Sequence, residues 1–199
     1  MTRIAEIDTG TVAKARRRER AKSRFGEGVR VPSPIGHALG GMALGCLIAP
    51  RLGRGAAAAG LTYAAFAIAP DLDLLVGSHS TYTHSAGAVG IVFLAAWAAS
   101  RRPRVAAAIA AAWASHLLLD WLGSDTSPPI GIMALWPFSR EHYQSSFYVF
   151  DAISRRYWLP EQFVWSNLKA ALREVLILGP VASISYWMSY VNHKRTRTG

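Results

Sequence analysis

Cysteine is almost absent from this chain, and several familiar catalytic motifs are missing. Of the 199 residues only Cys46 is a cysteine, which excludes a disulfide framework and a zinc site built from cysteine pairs. We expect Cys46 to be a small packed core residue. The chain also lacks a G-x-S-x-G turn, a P-loop and a dinucleotide fingerprint. These absences argue against covalent serine hydrolysis and nucleotide-driven chemistry, and we expect no nucleotide cofactor.

Acidic residues are also scarce. The 12 Asp and Glu residues stand against 22 Lys and Arg residues, for a net charge of +10. An excess of basic residues is typical of proteins that bind nucleic acid or anionic lipid, and the long apolar runs favour lipid as the partner. The N-terminal residues are polar, and the apolar run from Pro34 to Pro50 has no A-x-A cleavage site. We therefore expect a retained helix there and no cleaved secretory signal.

The composition divides the chain into one domain and two tails. Residues 1–31 contain KARRRERAKSR and predict a basic flexible tail that is either solvated or bound to anionic lipid or a protein partner. Residues 32–193 form the predicted domain, and residues 194–199 a basic C-terminal tail. The length allows a sizeable core.

The domain is predicted to be all-α, a bundle of about five apolar helices. Ser33 and Pro34 mark the start of the first helix, and prolines or Gly123 end the runs that follow. Residues 123–170 are a mixed region of short helices or loops. The predicted helices cover approximately residues 34–49, 55–69, 85–100, 105–122 and 171–191.

Two features of these helices favour membrane embedding. They are nearly uncharged on every face, whereas a surface helix of a soluble protein carries a polar stripe. Their many glycines and alanines suit close helix packing in lipid. The first four runs are shorter than the about 20 residues of a full span. We predict a protein integral to the cytoplasmic (inner) membrane, with its orientation open.

Histidines and aspartates recur at the same ends of consecutive apolar runs. If the helices are antiparallel, all of these groups meet at one end of the bundle. Groups that are costly to bury unless paired or metal-bound then share one place, which indicates a metal site. They are His37, Asp71, Asp73, His79, His84, His116 and Asp120.

The spacing within these segments suits a metal ion. His116 and Asp120 are four residues apart on a helix and share one face. A buried hydrogen-bonded pair is the structural alternative. In APDLDLL the two carboxylates point different ways, so that one can bind metal while the other binds a second ion or orients a histidine. Ligation by His and Asp without Cys suits Zn²⁺, with Mn²⁺ or Fe²⁺ as alternatives, and leaves room for one or two ions.

The motifs SPIGHALGG, APDLDLL, HSTYTHS, SHLLLDWLGSD and LWPFS follow one another over roughly residues 33–140. In this series the chain resembles the YdjM-type, LexA-binding, membrane-bound metal-dependent hydrolases. That family is in turn similar to the zinc-dependent phospholipase C and P1-nuclease group, which implies an all-α fold with a multinuclear zinc site. The resemblance implies that His37, Asp71, His84, His116 and Asp120 are metal ligands, with Asp73 and His79 as ligands or orienting groups.

One residue departs from the family pattern. The family commonly has Arg directly after the histidine that matches His79, whereas this chain has Ser80. If that Arg grips a phosphate, this chain must either use another cation, for which Arg140 just after WPFS is the candidate, or bind a different substrate. Trp136, Phe138, Arg140 and His142 are candidates for the mouth of the site, although a cluster of Trp, Pro and Phe is more often a packing feature or an interfacial belt.

The sequence therefore predicts a membrane-bound metal-dependent hydrolase that cleaves a phosphoester, such as a phospholipid or lipid-linked head group, with metal-activated water. Asp73 and His79 are the candidates for handling protons. A non-enzymatic membrane protein that binds a partner, anionic lipid or DNA through its N-terminal tail is the alternative. An ion transporter would spread its polar groups through the depth of the bundle and is disfavoured.

Overall fold

A computed structural model of the protein describes residues 32–49, 55–75, 80–125, 129–154 and 158–195. Within these ranges the chain is helical, with two isolated β-bridges and no strand. The all-α prediction is confirmed. The predicted N-terminal tail, residues 1–31, lies outside the described residues, as does His79.

The described part contains five α-helices, close to the number predicted. Two short 3₁₀ helices, Ala69–Leu75 and Tyr82–His84, lie between the second and third α-helices. The segment between residues 71 and 84, predicted as loop, is therefore partly helical. The α-helices are α1 (Pro34–Ile48), α2 (Ala56–Ile68), α3 (Ala86–Ser100), α4 (Pro103–Trp121) and α5 (Pro160–Arg195).

Serine caps begin two of these helices. The hydroxyl oxygen of Ser33 accepts a hydrogen bond from the Gly36 amide at the start of α1, and Pro34 occupies the first turn. Ser85 accepts a hydrogen bond from the Ala88 amide at the start of α3 in the same way. Each cap satisfies an amide that the helix itself leaves without a partner. The predicted starts of both helices are within a residue of the observed ones.

The last helix is much longer than the sequence predicted. It begins at Pro160, not near Ala171, and continues to Arg195 with Pro180 inside it. The prediction followed uninterrupted apolar runs and so missed PEQFVWSNLKA, which mixes polar and apolar residues. Proline suits the first turn of a helix, so Pro160 marks this start. Residues 160–170 therefore belong to α5 and not to the mixed region.

Helix α1 lies at the centre and packs against α2, α4 and α5, while α3 packs mainly on α4. Glycine makes the α1–α2 approach possible. A β-carbon at Gly41 would lie 2.3 Å from that of Ala67 and 2.6 Å from the carbonyl oxygen of Tyr63. Cys46 is packed in the same core with 2% of its surface exposed, as expected.

One described segment, Ala56–Leu75, is long and apolar enough to cross a membrane, and α1 and α3 are shorter apolar helices. No residue of α3 is buried in the protein, although its composition is strongly apolar. These features are compatible with lipid contact. The embedding of the whole bundle stays a prediction.

The glycine contact between α1 and α2 makes a first prediction. We expect Gly41→Ala to lower the free energy of unfolding by about 1–3 kcal/mol, because the new methyl group meets backbone that cannot move aside. The matched control is Gly90→Ala in α3, where a β-carbon meets no atom within 4 Å. Thermal unfolding followed by circular dichroism in detergent measures both. Equal stability of the two variants would contradict the close α1–α2 approach.

Candidate metal centre

Four separate segments bring three histidines and three aspartates to one end of the bundle. His37 lies in the first turn of α1, and His116 and Asp120 lie near the end of α4. The 3₁₀ helices before and after residues 76–79 supply the others. Five of the six residues are buried, and Asp71 is only partly exposed. The six are His37, Asp71, Asp73, His84, His116 and Asp120.

His84, His116 and Asp120 form a compact triangle of donor atoms. His116 Nε2 lies 3.0 Å from His84 Nε2 and 3.0 Å from Asp120 Oδ2, and His84 Nε2 lies 3.3 Å from the same oxygen. Donor atoms about 2.0–2.1 Å from a tetrahedral ion lie about 3.3 Å from one another. The separations of these three atoms therefore fit a single metal ion.

A backbone carbonyl fixes the tautomer of His116. Its Nδ1 lies 2.7 Å from the carbonyl oxygen of Ala67. A carbonyl can only accept, so Nδ1 carries the hydrogen, and Nε2 of a neutral ring presents a lone pair to the cluster. Ala67 is near the end of α2, where helix carbonyls lose their intrahelical partners. The end of one helix thus orients a side chain of another.

Asp73 orients His84 in a similar way, because its carboxylate also faces the Nδ1 atom of the ring. His84 Nδ1 lies 3.2 Å from Asp73 Oδ2, and the Thr83 hydroxyl donates to that oxygen over 2.7 Å. A hydrogen on Nδ1 faces the carboxylate, which directs Nε2 of His84 toward His116. A carboxylate behind a histidine is the usual outer partner of a histidine that binds metal. Asp73 thus lies beside Nδ1 of His84, on the opposite side of the ring from the nitrogen that belongs to the donor triangle.

His37 and Asp71 extend the cluster on a second side. The His37 ring stacks on that of His116 with a centroid separation of 3.7 Å, and its Nε2 lies 3.4 Å from Asp120 Oδ1. Asp71 Oδ1 lies 3.5 Å from His116 Nε2 and 3.7 Å from His84 Nε2. The six residues therefore contain two overlapping groups that could hold an ion, His37–Asp71–His116 and His84–His116–Asp120.

Two buried residues of the cluster lack ordinary hydrogen bonds. Among the described residues, neither ring nitrogen of His37 and neither carboxylate oxygen of Asp120 has a hydrogen-bond partner. Asp120 is 4% exposed. A carboxylate buried in this way is costly unless a cation neutralises it. Its oxygens lie 3.0 Å from His116 Nε2, 3.3 Å from His84 Nε2 and 3.4 Å from His37 Nε2, so protonated imidazoles or a metal ion can neutralise it.

The carboxylates also control the charge of His84. Burial disfavours the charged ring, but the carboxylates of Asp71, Asp73 and Asp120 outweigh it and raise the pKa of His84 to about 9. The cluster therefore favours a positive charge between its donor atoms, whether a proton or a metal ion carries it.

The other candidates belong to neither group of described residues that could hold an ion. His142 is one of these, and Asp125 accepts a hydrogen bond from the Gly131 amide within its own loop. Trp136 packs edge-on against Tyr82 near the start of α3, while Phe138 is 93% exposed. Arg140, the candidate phosphate-binding cation, is exposed. Ser80 is buried, and its carbonyl accepts a hydrogen bond from the Met133 amide.

Glu174 is a residue that the sequence analysis missed. It lies on α5, fully buried, and its Oε1 accepts a hydrogen bond from the Ser33 amide over 2.7 Å. Its Oε2 accepts from the Ser33 hydroxyl and, over 3.1 Å, from the Gly36 amide. The carboxylate thus holds the first turn of α1, next to His37. The signal in the sequence was a single acid inside the apolar part of the last helix.

Comparison with known proteins identifies the family. The family model described as YdjM inner membrane protein matches residues 33–195, so the chain belongs to this family. No curated protein and no solved structure matches. The similarity to the phospholipase C and P1-nuclease group stays an expectation.

The Glu174 contacts make a second prediction. We expect Glu174→Gln to lower the free energy of unfolding by about 1.5–3 kcal/mol, because charge-assisted hydrogen bonds to two buried amides are weakened. Hydrogen exchange should accelerate at Ser33 and Gly36. The matched control, Glu161→Gln, changes an exposed acid in the first turn of α5. If exchange at the start of α1 is the same in both variants, Glu174 does not hold this turn.

Proposed function

We propose that this member of the YdjM family is a membrane-embedded, metal-dependent hydrolase that cleaves phosphoesters. In this proposal His84, His116, Asp120 and Asp71 hold a divalent ion. His37 provides the ligand for a second ion, and Asp73 is a positioning residue that acts through His84. His79 lies outside the described residues, so its proposed part in proton handling rests on the sequence alone.

The meeting of two imidazole nitrogens carries the proposal. His116 Nε2 is without a hydrogen because Nδ1 donates to Ala67, and His84 Nε2 points at it from 3.0 Å. Two lone pairs this close repel each other unless a proton or a metal ion lies between them. A proton would also satisfy the two rings. A divalent ion would in addition neutralise the buried carboxylate of Asp120, whose Oδ2 lies 3.0 Å from His116 Nε2 and 3.3 Å from His84 Nε2.

The donor set favours zinc as the ion. Imidazole nitrogens with carboxylate oxygens and no cysteine suit Zn²⁺, and manganese or iron are the alternatives. An imidazole nitrogen has one lone pair and binds one ion, so His116 cannot serve both overlapping groups at once. A second ion would therefore depend on His37, Asp71 and the Oδ1 oxygen of Asp120.

A divalent ion in this place supplies Lewis-acid activation of water and neutralises charge that develops on a phosphoryl group. The protein's own part is to keep the donors fixed and dry. Ala67 and Asp73 hold the two histidine rings, Glu174 holds the turn next to His37, and the His37 ring stacks on that of His116. The resulting rigidity keeps the donors in place without a rearrangement during the reaction.

The surroundings of the cluster support a substrate at the bilayer surface. Leu72 and Leu75 lie on the same 3₁₀ helix as Asp71 and Asp73, and their side chains are 61% and 83% exposed. Exposed apolar side chains beside a polar pocket are typical of contact with lipid. We therefore propose a phospholipid or a lipid-linked phosphoester as substrate.

Metal binding makes a third prediction. We expect purified protein to carry about one tightly bound zinc ion per chain. The variants His116→Ala and Asp120→Asn should lose affinity by more than the about 10–100-fold that follows removal of an outer partner. Elemental analysis after dialysis against a metal-buffered solution measures the bound zinc.

The chain offers matched controls for both variants. His142→Ala and Asp151→Asn remove the same side-chain types outside the cluster; Asp151 is exposed and pairs with Arg173. Both should keep their zinc. A folded wild-type protein that binds no divalent ion, or equal loss in the controls, would refute the metal site.

Hydrolysis makes a fourth prediction. We expect the zinc-loaded protein in lipid nanodiscs to cleave at least one member of a panel with a phosphomonoester, a phosphodiester and a short-chain phospholipid. Chelation should abolish the rate because water activation requires the ion, and added zinc should restore it. His142→Ala should retain the rate. If the zinc-replete protein cleaves none of these substrates, the metal has a structural role and the proposed hydrolase activity is refuted.

A further inference from the structure

The end of the bundle opposite the metal centre contains a cavity of about 480 Å³. His37 lies in the first turn of α1, whereas the cavity lies at the end of that helix, against Ile48 and Ala49. The turn between α3 and α4 and the first residues of α4 form the remaining wall. Along α1 the two sites are about 16 Å apart, at 1.5 Å per residue. The cavity is therefore separate from the cluster of histidines and aspartates.

Three arginines line this cavity within four consecutive residues, Arg101, Arg102 and Arg104. All three are exposed, and none of them forms an ion pair with any residue that the structure describes. The described part of the chain thus leaves three positive charges at the cavity wall without an acidic partner. A ligand that complements this wall is an anion.

The local backbone adds to this positive potential. Arg101 ends α3 in the left-handed region, with φ 55° and ψ 18°, a position that glycine commonly occupies. Arg102 is the N-cap residue of α4 and forms no side-chain cap. The positive end of the α4 dipole therefore faces the same cavity as the three guanidinium groups.

Apolar side chains surround the cavity and identify the kind of anion. Ile48, Pro103 and Val105 contribute to its wall. Leu47 directly precedes Ile48 in the chain, and the side chains of Leu47 and Trp97 are 51% and 48% exposed. Trp97 precedes Arg101 by one helical turn, and exposed tryptophan is typical of the membrane–water interface. A phosphate with attached acyl chains fits this combination, whereas free phosphate would make no use of the apolar surface.

We propose that this cavity binds the phosphate head group of an anionic phospholipid. The three arginines contact the phosphate, and the acyl chains extend over Leu47 and Trp97. Basic pockets between helices at a membrane surface bind lipid head groups by this chemistry. The site needs neither the metal nor catalysis, and it rests only on the membrane embedding that is part of the proposed function.

Native mass spectrometry of the full chain, released from detergent with added lipid, tests this site. We expect phosphatidylglycerol to bind more tightly than phosphatidylcholine with the same acyl chains. The variant Arg101→Gln/Arg102→Gln/Arg104→Gln should weaken phosphatidylglycerol binding by about tenfold or more. In the wild-type protein, a photoreactive phosphatidylglycerol should label the peptide that contains residues 97–105. This labelling tests the site even if the triple variant fails to fold.

The control variant removes two charges elsewhere and is compared with the double variant Arg101→Gln/Arg102→Gln. Lys169→Gln/Arg173→Gln changes exposed residues outside the cavity and should alter the affinity by less than about twofold. Equal loss in both variants would assign the binding to net charge, and equal affinity for the two lipids would exclude an anion site. Complete displacement by inorganic phosphate at a similar concentration would make free phosphate the ligand. Each of these outcomes overturns the proposal.

Discussion

The structure depends on placing three carboxylates and three imidazoles in a nearly dry pocket between helix ends. Burial of such groups is costly unless their charges and lone pairs have partners. Part of this cost is offset within the protein, because the Ala67 carbonyl and the Asp73 carboxylate each pair with Nδ1 of one imidazole ring. The remaining donor atoms converge on one another, with His84 and His116 nitrogens 3.0 Å apart. Donor atoms this close together are stable only around a positive charge. The folding of this end of the bundle therefore depends on the cation that we propose.

Close helix packing is what brings these donors together. Gly41 lets α1 approach α2 to the distance at which the β-carbon of a larger residue would collide. The same helix places His37 on the face of the His116 ring, and Glu174 of α5 fixes its first turn. Small residues and one buried carboxylate therefore contribute to the site without touching the donor triangle. This dependence explains why α1, rich in glycine and poor in charge, is the central helix.

Much of this arrangement could be predicted from the sequence, and its limits are physical. The spacing of His116 and Asp120 places both on one face of a helix, and Ser33 with Pro34 marks a helix start. Asp71 and Asp73 lie near different nitrogens of the His84 ring, and this placement depends on the 3₁₀ geometry of their segment. The sequence spacing of the two aspartates does not predict it. Glu174 could not be assigned, because its partners are more than a hundred positions away in the chain. The start of α5 was missed because its first turns lack an apolar run.

The two ends of the described bundle thus have opposite electrostatic character, with carboxylates and histidines at one end and, at the other, three arginines that pair with no acid in the described ranges. The central claim concerns the first end, and X-ray absorption at the zinc edge of the zinc-loaded protein tests it most directly. The account predicts nitrogen and oxygen ligands at about 2.0–2.2 Å, with outer-shell scattering from at least two imidazole rings that decreases in His116→Ala. A spectrum without imidazole scattering, or one that His116→Ala leaves unchanged, would contradict it.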